Sequence, residues 1–293
     1  MSCGFAFRLS SGESVPCGKC QGCLRRRRRA WVGRMLVEAA ACGGDSSFVT
    51  LTYGDDALPM VYQPEIGDWI PTLEKSHAKN WLQSVRRKAT GLGLPRRFFM
   101  AGEYGSKGGR PHYHVILFGI GPTYQSRFEG LWTHGFQSWY PASVRAMAYV
   151  AKYCLKHGKD PELDLLASCG SGSTEIPRVT VPPFRRLSRN PPIGGDLVKK
   201  VANALCMKGS PEQLLEAEKM LKGTIRVSGD QYPIDRTIKD ALALTLSTDY
   251  GLDEVTIARM LKGESPEPTQ RQSANARKAH QRAEQRKRSR HKL

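Results

Sequence analysis

His112 and His114 flank a single residue, Tyr113, in a stretch whose apolar continuation, Val115 to Phe118, favours a strand. Residues i and i+2 of a strand share one face, so two imidazoles placed this way can meet one cation. Glu103 lies nine residues before His112. The stretch Gly105-Ser106-Lys107-Gly108-Gly109 between them reads as the turn of a hairpin, which brings the carboxylate to the same mouth of the sheet. Two imidazoles and one carboxylate leave open positions for water and a phosphate oxygen, as a divalent Lewis acid needs in phosphoryl transfer. The competing reading is structural: a His-x-His pair often serves packing, and Glu103 can pair with Lys107 or Arg110 at the hairpin edge.

Tyr149 and Tyr153 stand four apart in a helix expected from a Ser143 cap to about Lys156, hence on one face. Lys152 and Lys156 share a neighbouring face. A tyrosyl oxygen is a competent nucleophile on a phosphodiester when a metal polarises the phosphate and a cation favours the phenolate. A further cluster, Cys17-x2-Cys20-x2-Cys23, has the spacing of a soft-metal knuckle, with Cys3 as the nearest fourth ligand. Structural zinc is the leading reading there, ahead of free thiols and an iron–sulfur cluster. Three thiolates spaced by two nevertheless look crowded, since zinc sites usually take one such pair per side.

Period counting supplies the elements that must hold these groups. A helix is expected over Leu24–Ala41, strands over Ser47–Tyr53, Arg97–Tyr104, His112–Phe118 and Phe136–Tyr140, and a helix over Leu73–Ala89. The order implies an α+β domain whose antiparallel sheet is covered on one face by helices. The region of Pro59, Pro64 and Pro71 reads as turns, and residues 157–195 as irregular. Ser210-Pro211-Glu212-Gln213 is a capping box opening a helix to about Lys222. Thr224–Val227 reads as a strand and Leu252–Leu261 as a short helix.

The chain has 293 residues, and 45 Lys and Arg against 27 Asp and Glu give a net charge of +18, which points to a polyanionic partner. Arg25, Arg26, Arg27, Arg28 and Arg29 form an unbroken run beside the cysteines, the best placed group to grip a DNA backbone. The tail Arg271–Leu293 holds nine Lys and Arg against one acid and reads as disordered until it meets phosphate. Apolar runs are far too short for a membrane helix, the N-terminus carries no secretory pattern, and a reducing cytoplasm is expected. No G-x-x-x-x-G-K-[ST] loop occurs, so a built-in helicase is not expected.

Three segments in order carry a resemblance: Phe48–Tyr53; Gly102-Glu103-Tyr104-Gly105 through Gly109-Arg110-Pro111-His112-Tyr113-His114; and Tyr149-Val150-Ala151-Lys152-Tyr153-Cys154-Leu155-Lys156. Together they resemble the replication initiators of gokushovirus-like microviruses and, more broadly, the HUH endonucleases of rolling-circle replication. Val15–Cys23 and Phe184–Gly195 are similar to further segments of those phage proteins. One departure lies before Leu58-Pro59, where the family often has a histidine and this chain has Asp55, Asp56 and Ala57.

The resemblance implies a ferredoxin/RRM-like HUH domain over 44–160. A cysteine-rich segment with a basic helix would occupy 1–43, an accessory region 161–265 and a basic tail 266–293. It further implies Mg²⁺ or Mn²⁺ on Glu103, His112 and His114, and nicking of a single-stranded origin by Tyr149 or Tyr153 to give a 5′-phosphotyrosyl link. Lys152 and Lys156 would assist, Arg110 would contact DNA, and host polymerase and helicase would act in the bacterial cytoplasm. The rivals are a transposase or relaxase of the same chemistry, and a non-enzymatic zinc-containing nucleic-acid-binding protein.

Overall fold

The computed structural model describes residues 3–10, 12, 14–105, 109–154, 180–207, 210–221, 223–227 and 229–261. Lys107, Lys156, the Gly170–Ser173 stretch and the basic tail lie outside them, as do the side chains of Tyr153 and Cys154. The chain divides into two units, one of 1–32 with 39–188 and the other of 33–38 with 189–293.

The first unit is built on strand β3 (Ser47–Tyr53), whose residues alternate strictly. Ser47, Val49, Leu51 and Tyr53 are buried, while Phe48, Thr50 and Thr52 are half-buried. It pairs antiparallel with β7 (Pro111–Phe118) on one side and with β8 (Gly135–Pro141) on the other. β7 pairs in turn with β6 (Arg97–Tyr104), and β6 with β9 (Phe184–Leu187), giving a five-stranded antiparallel sheet in the order β8-β3-β7-β6-β9. The β6–β7 turn is closed by Gly105 N–H donating to the Arg110 carbonyl at 2.9 Å.

Period-2 alternation sends Val49, Leu51, Tyr53, Met100, Tyr113, Val115 and Leu117 to one face. There they meet Ala78, Trp81, Leu82, Val85 and Ala89, the apolar stripe of helix α2 (Lys75–Gly91). Glu74 caps α2 by accepting from the Ser76 N–H at 2.9 Å. At Gly102 on this face a Cβ would lie 2.9 Å from the Phe184 ring, so the missing side chain makes room for β9 to close the core. Leu51 is wholly buried at the centre of the core. Leu51→Ala is therefore expected to cost about 2–5 kcal/mol, read as a lower urea midpoint at unchanged m-value.

The opposite face is also covered in part by helices, which corrects the expectation of a sheet covered on one face. Helix α1 (Gln21–Ala41) sets Trp31 edge-on against Phe99, and α4 (Val144–Val150) sets Tyr149 against Phe48 and His114. The reason is visible in β6 and β7, which are buried on both faces along most of their length. α4 begins at Ser143, whose hydroxyl accepts from the Ala146 N–H at 3.2 Å. It stops at Val150 and tightens into a 3₁₀ turn over Ala151–Cys154, where a longer α-helix was expected.

Two further corrections concern regions read from the sequence as loops. Met60–Gln63 and Asp68–Pro71 form a hairpin, β4–β5, and the 157–195 region contains β9. Both are four-residue strands, too short for alternation to register, and prolines surround them. A small hairpin, β1 (Phe7–Arg8) with β2 (Ser14–Val15), precedes the knuckle. Short α3 (Gln125–Phe128) completes the unit.

The second unit contains α5 (Gly195–Cys206), α6 (Pro211–Leu221), the hairpin β10–β11 (Thr224–Val227, Asp230–Pro233), α7 (Arg236–Tyr250) and α8 (Glu254–Leu261), together with Gly33–Glu38 of α1. Its polar anchor is buried Arg34. One guanidinium nitrogen is 2.8 Å from Asp235, and Nε donates to the Ile193 carbonyl at 2.9 Å. The capping box holds as read, Ser210 and Gln213 bonding reciprocally at 2.9 and 3.3 Å.

Candidate metal centre and tyrosine

Register places the cluster. Glu103 lies directly opposite His112 across β6 and β7, and His114 lies between Ala101 and Thr50, so all three side chains point to the α1 and α4 face. Their ligand atoms lie within 4.8 Å of one another. His112 Nε2 and His114 Nε2 stand 2.9 and 2.7 Å from the same Glu103 oxygen, Oε1. That oxygen also accepts from the Tyr149 hydroxyl at 2.7 Å. Arg110 is committed elsewhere, to the Tyr53 carbonyl and to Asp55, each at 2.7 Å. The alternative Arg110 partner for Glu103 is thereby removed.

The donor set suits a divalent cation. The Arg110 carbonyl can only accept, so at 3.1 Å it takes the His112 Nδ1 proton and leaves Nε2 as the ligating nitrogen. Thr50 Oγ1, 3.0 Å from His114 Nδ1, does the same for the second ring, and Phe48 stacks on that ring at 5.1 Å. Sequence reading quoted Phe48 and Thr50 within a motif but gave neither a task. Their opposing registers, and not their identities, carry the signal. Thr50→Val keeps the shape and removes the acceptor, so Mn²⁺ affinity by calorimetric titration is expected to fall about 10- to 100-fold.

Burial pushes the Glu103 carboxyl toward its neutral form, but hydrogen bonds from His112, His114 and Tyr149 outweigh it and bring the pKa to about 2. Burial opposes charge on His112 too, and the bond and charge of Glu103 reverse the balance, raising that imidazole. Burial, followed by the hydrogen bond and charge of Glu103, holds the Tyr149 phenol well above its ordinary pKa. Tyr149 is thus held as a protonated phenol against a carboxylate.

Lys152 Nζ lies 4.5 Å from the Tyr149 ring centroid. The 3₁₀ turn contributes to this pairing, because it tightens the chain so that residues three apart come closer to eclipsing than in an α-helix. Arg28 is set apart from the rest of its run, its Nε donating at 2.8 Å to the carbonyl of Ala148, next to Tyr149. Arg25, Arg26, Arg27 and Arg29 are exposed.

The four N-terminal cysteines also converge, all sulfurs lying within 4.8 Å of one another. Cys17 Sγ is 4.0 Å from Cys23 Sγ, and Cys20 Sγ 3.8 Å from Cys3 Sγ. A tetrahedron with Zn–S of about 2.3 Å has edges of about 3.8 Å. The crowding expected of three close thiolates is relieved because Gly18, at φ +77°, reverses the chain after Cys17, while Cys23 enters through the first turn of α1. Backbone N–H groups aimed at the sulfurs lower Cys3 and bring Cys20 to about 6, whereas burial pushes Cys23 up to about 12.

Among the described residues no helix is long and apolar enough to cross a membrane. Residues 46–158, which hold the central strands and the Glu103 cluster, match a family described as Replication-associated protein ORF2. The chain is 30% identical over 171 residues to Replication-associated protein VP4 of Bdellovibrio phage phiMH2K, covering 52% of each chain. It is 34% identical over 109 residues to Replication-associated protein ORF2 of Spiroplasma virus 4, covering 37% of this chain and 32% of that one. With Replication-associated protein ORF4 of Chlamydia phage 1 it shares 30% identity over 162 residues, 48% of this chain and 38% of the other. The chain thus spans about half or less of the length of these curated relatives. No solved structure matches it significantly. Over its sheet and its His–Glu cluster, the chain is similar to phage replication-associated proteins.

Proposed function

We propose that this protein is an HUH endonuclease that nicks and rejoins single-stranded DNA to initiate rolling-circle replication of a small circular phage genome. The observation that carries the reading is the convergence of Tyr149 Oη on the carboxylate shared by His112 and His114. A non-enzymatic DNA-binding role accounts for the charge and the cysteines but leaves that convergence without a purpose. Likeness to phage replication-associated proteins over residues 46–158 supports the same reading.

Glu103, His112 and His114 would hold Mg²⁺ or Mn²⁺, which supplies charge withdrawal from the scissile phosphate. Tyr149 Oη forms the new O–P bond as the P–O3′ bond breaks, leaving the phosphate on the tyrosine and a 3′-oxygen that takes up a proton. Glu103 Oε1, already bonded to the phenol, orients the attacking oxygen, and Lys152 favours the developing phenolate. Tyr153 would serve the second transfer that closes the circle. Lys156 and the exposed arginines would steady the backbone, and the 3′-OH would pass to host polymerase and helicase.

Overlapping single-stranded oligonucleotides from the genome encoding the protein, incubated with it and Mn²⁺, test this directly. One of them should be cut, with the fragment 3′ to the break covalently attached to protein. Cleavage that releases a free 5′-phosphate, with no adduct, would overturn the proposal.

A further inference from the structure

The sheet face that carries the cluster continues beyond it to the edge strand β8, and its outer part is open. Across β3, Thr52 pairs with both His112 and Phe136, Thr50 with both His114 and Ser138, and Phe48 with both Ile116 and Tyr140. Directly opposed residues share a face, so Phe136, Ser138 and Tyr140 stand on the face of Glu103, His112 and His114. Phe136 is 74% exposed and Tyr140 59%, whereas Trp139 between them is buried on the other face. Thr50, Thr52 and Ser138, the hydroxyl residues of the strip, are only half-buried. Two large rings that face water, separated by hydroxyls and adjoining the candidate centre, are not explained by core packing.

Dimensions and charge favour a nucleic-acid strand as the occupant. Phe136 stands two strand spacings, about 10 Å, from His112, and about 13 Å from Tyr140 along β8. Rings at these separations can receive bases one or two nucleotides from a phosphate at the cluster. Arg110 supplies a cation at the Phe136 end, since it donates to the carbonyl of Tyr53, the residue paired with Gly135. Its partner Asp55 is 93% exposed, and such a surface ion pair yields readily to a phosphate. Exposed Arg145, in the first turn of α4, lies beyond the Tyr140 end. The chain's charge of +18 matches a polyanion.

We propose that the strip Phe136–Ser138–Tyr140 is the seat of the single strand entering the site, its bases stacked on the two rings and its backbone contacted by Arg110. The inference rests on reading the cluster as a DNA nicking centre. It adds which surface selects single-stranded over paired substrate, because only unpaired bases present a free face to stack on an aromatic ring.

The test is equilibrium binding of a fluorescein-labelled oligothymidylate to the full chain without divalent metal, so that affinity is read apart from cleavage. Phe136→Ala and Tyr140→Ala are each expected to weaken binding roughly 5- to 150-fold while leaving the salt slope unchanged, since stacking releases no counterions. Phe136→Trp should restore affinity, and an abasic oligonucleotide should lose the difference between wild type and variant. Unchanged affinity in the double alanine variant would overturn the inference, as would an equal loss with the abasic strand. A variant that only converts a dimer to a monomer at constant affinity would mean that the edge receives a second copy of the chain, which also overturns it. Weakened stacking in a protein that never forms the covalent adduct would sink the nicking assignment and leave the seat standing. Normal adduct formation with unaltered binding would do the reverse.

Discussion

Tyr149→Phe is expected to lower formation of the first covalent protein–DNA adduct by at least about a thousandfold, the scale on which removal of a nucleophile acts. Phenylalanine keeps the ring that meets His114 edge-on at 5.0 Å and Phe48 at 6.4 Å, so packing at the site survives. Only the oxygen and its bond to Glu103 are lost. Mn²⁺ affinity in the variant should therefore stay within a few fold of wild type, which separates a missing nucleophile from a damaged centre. Tyr153→Phe should leave the first cut and block the joining step. Adduct formation by Tyr149→Phe at the wild-type rate would assign the first attack to Tyr153 or another residue, and peptide mapping of the adduct would show which.

The second large effect is expected at the cysteine cluster. Protein purified without added metal should carry about one zinc per chain. Chelation, or Cys20→Ser, should release the ion and unfold the knuckle, because the free energy of binding at such a site is folding free energy, about 10–16 kcal/mol in zinc-finger peptides. Separations of 3.8 and 4.0 Å between sulfurs and the N–H donors from Cys17 to Cys3 Sγ and from Cys20 to Cys17 Sγ already have the form of a thiolate cage. Arg27, which reaches the Gly18 carbonyl at 3.5 Å, places positive charge beside it. Thermal unfolding should shift far more than nicking rate at low temperature. Substantially less than one zinc per chain, in protein whose thiols are reduced, would refute the assignment.

Much of the site was legible because it is written in local periods. A strand period of two puts His112 and His114 on one face whatever surrounds them, and a short glycine-rich turn nearly forces Glu103 to lie across from His112. The cap at Ser143 and the capping box at Ser210 are likewise satisfied within four residues of chain. The similarity of residues 46–158 to a replication-associated family agrees with the motifs read in that same stretch.

What the sequence could not determine depends on partners distant in the chain. Tyr149 is an ordinary helical tyrosine until β6 brings Glu103 within 2.7 Å of its hydroxyl, 46 residues away in sequence. Arg28 belongs to a uniform run of five arginines, and only the approach of α4 sends its Nε to Ala148. The helix that would have aligned Tyr149 with Tyr153 tightens at Ala151, and no residue type there announces it. Phe136 and Tyr140 look like any aromatic pair in a strand. Their exposure follows from β8 lying at the edge of the sheet, beyond the cover of α1 and α4. Composition and spacing determine which groups can do chemistry, because they act through the nearest few residues. Tertiary pairing decides which groups meet, because a contact is made by whichever strands and helices pack together, and no local period records that choice.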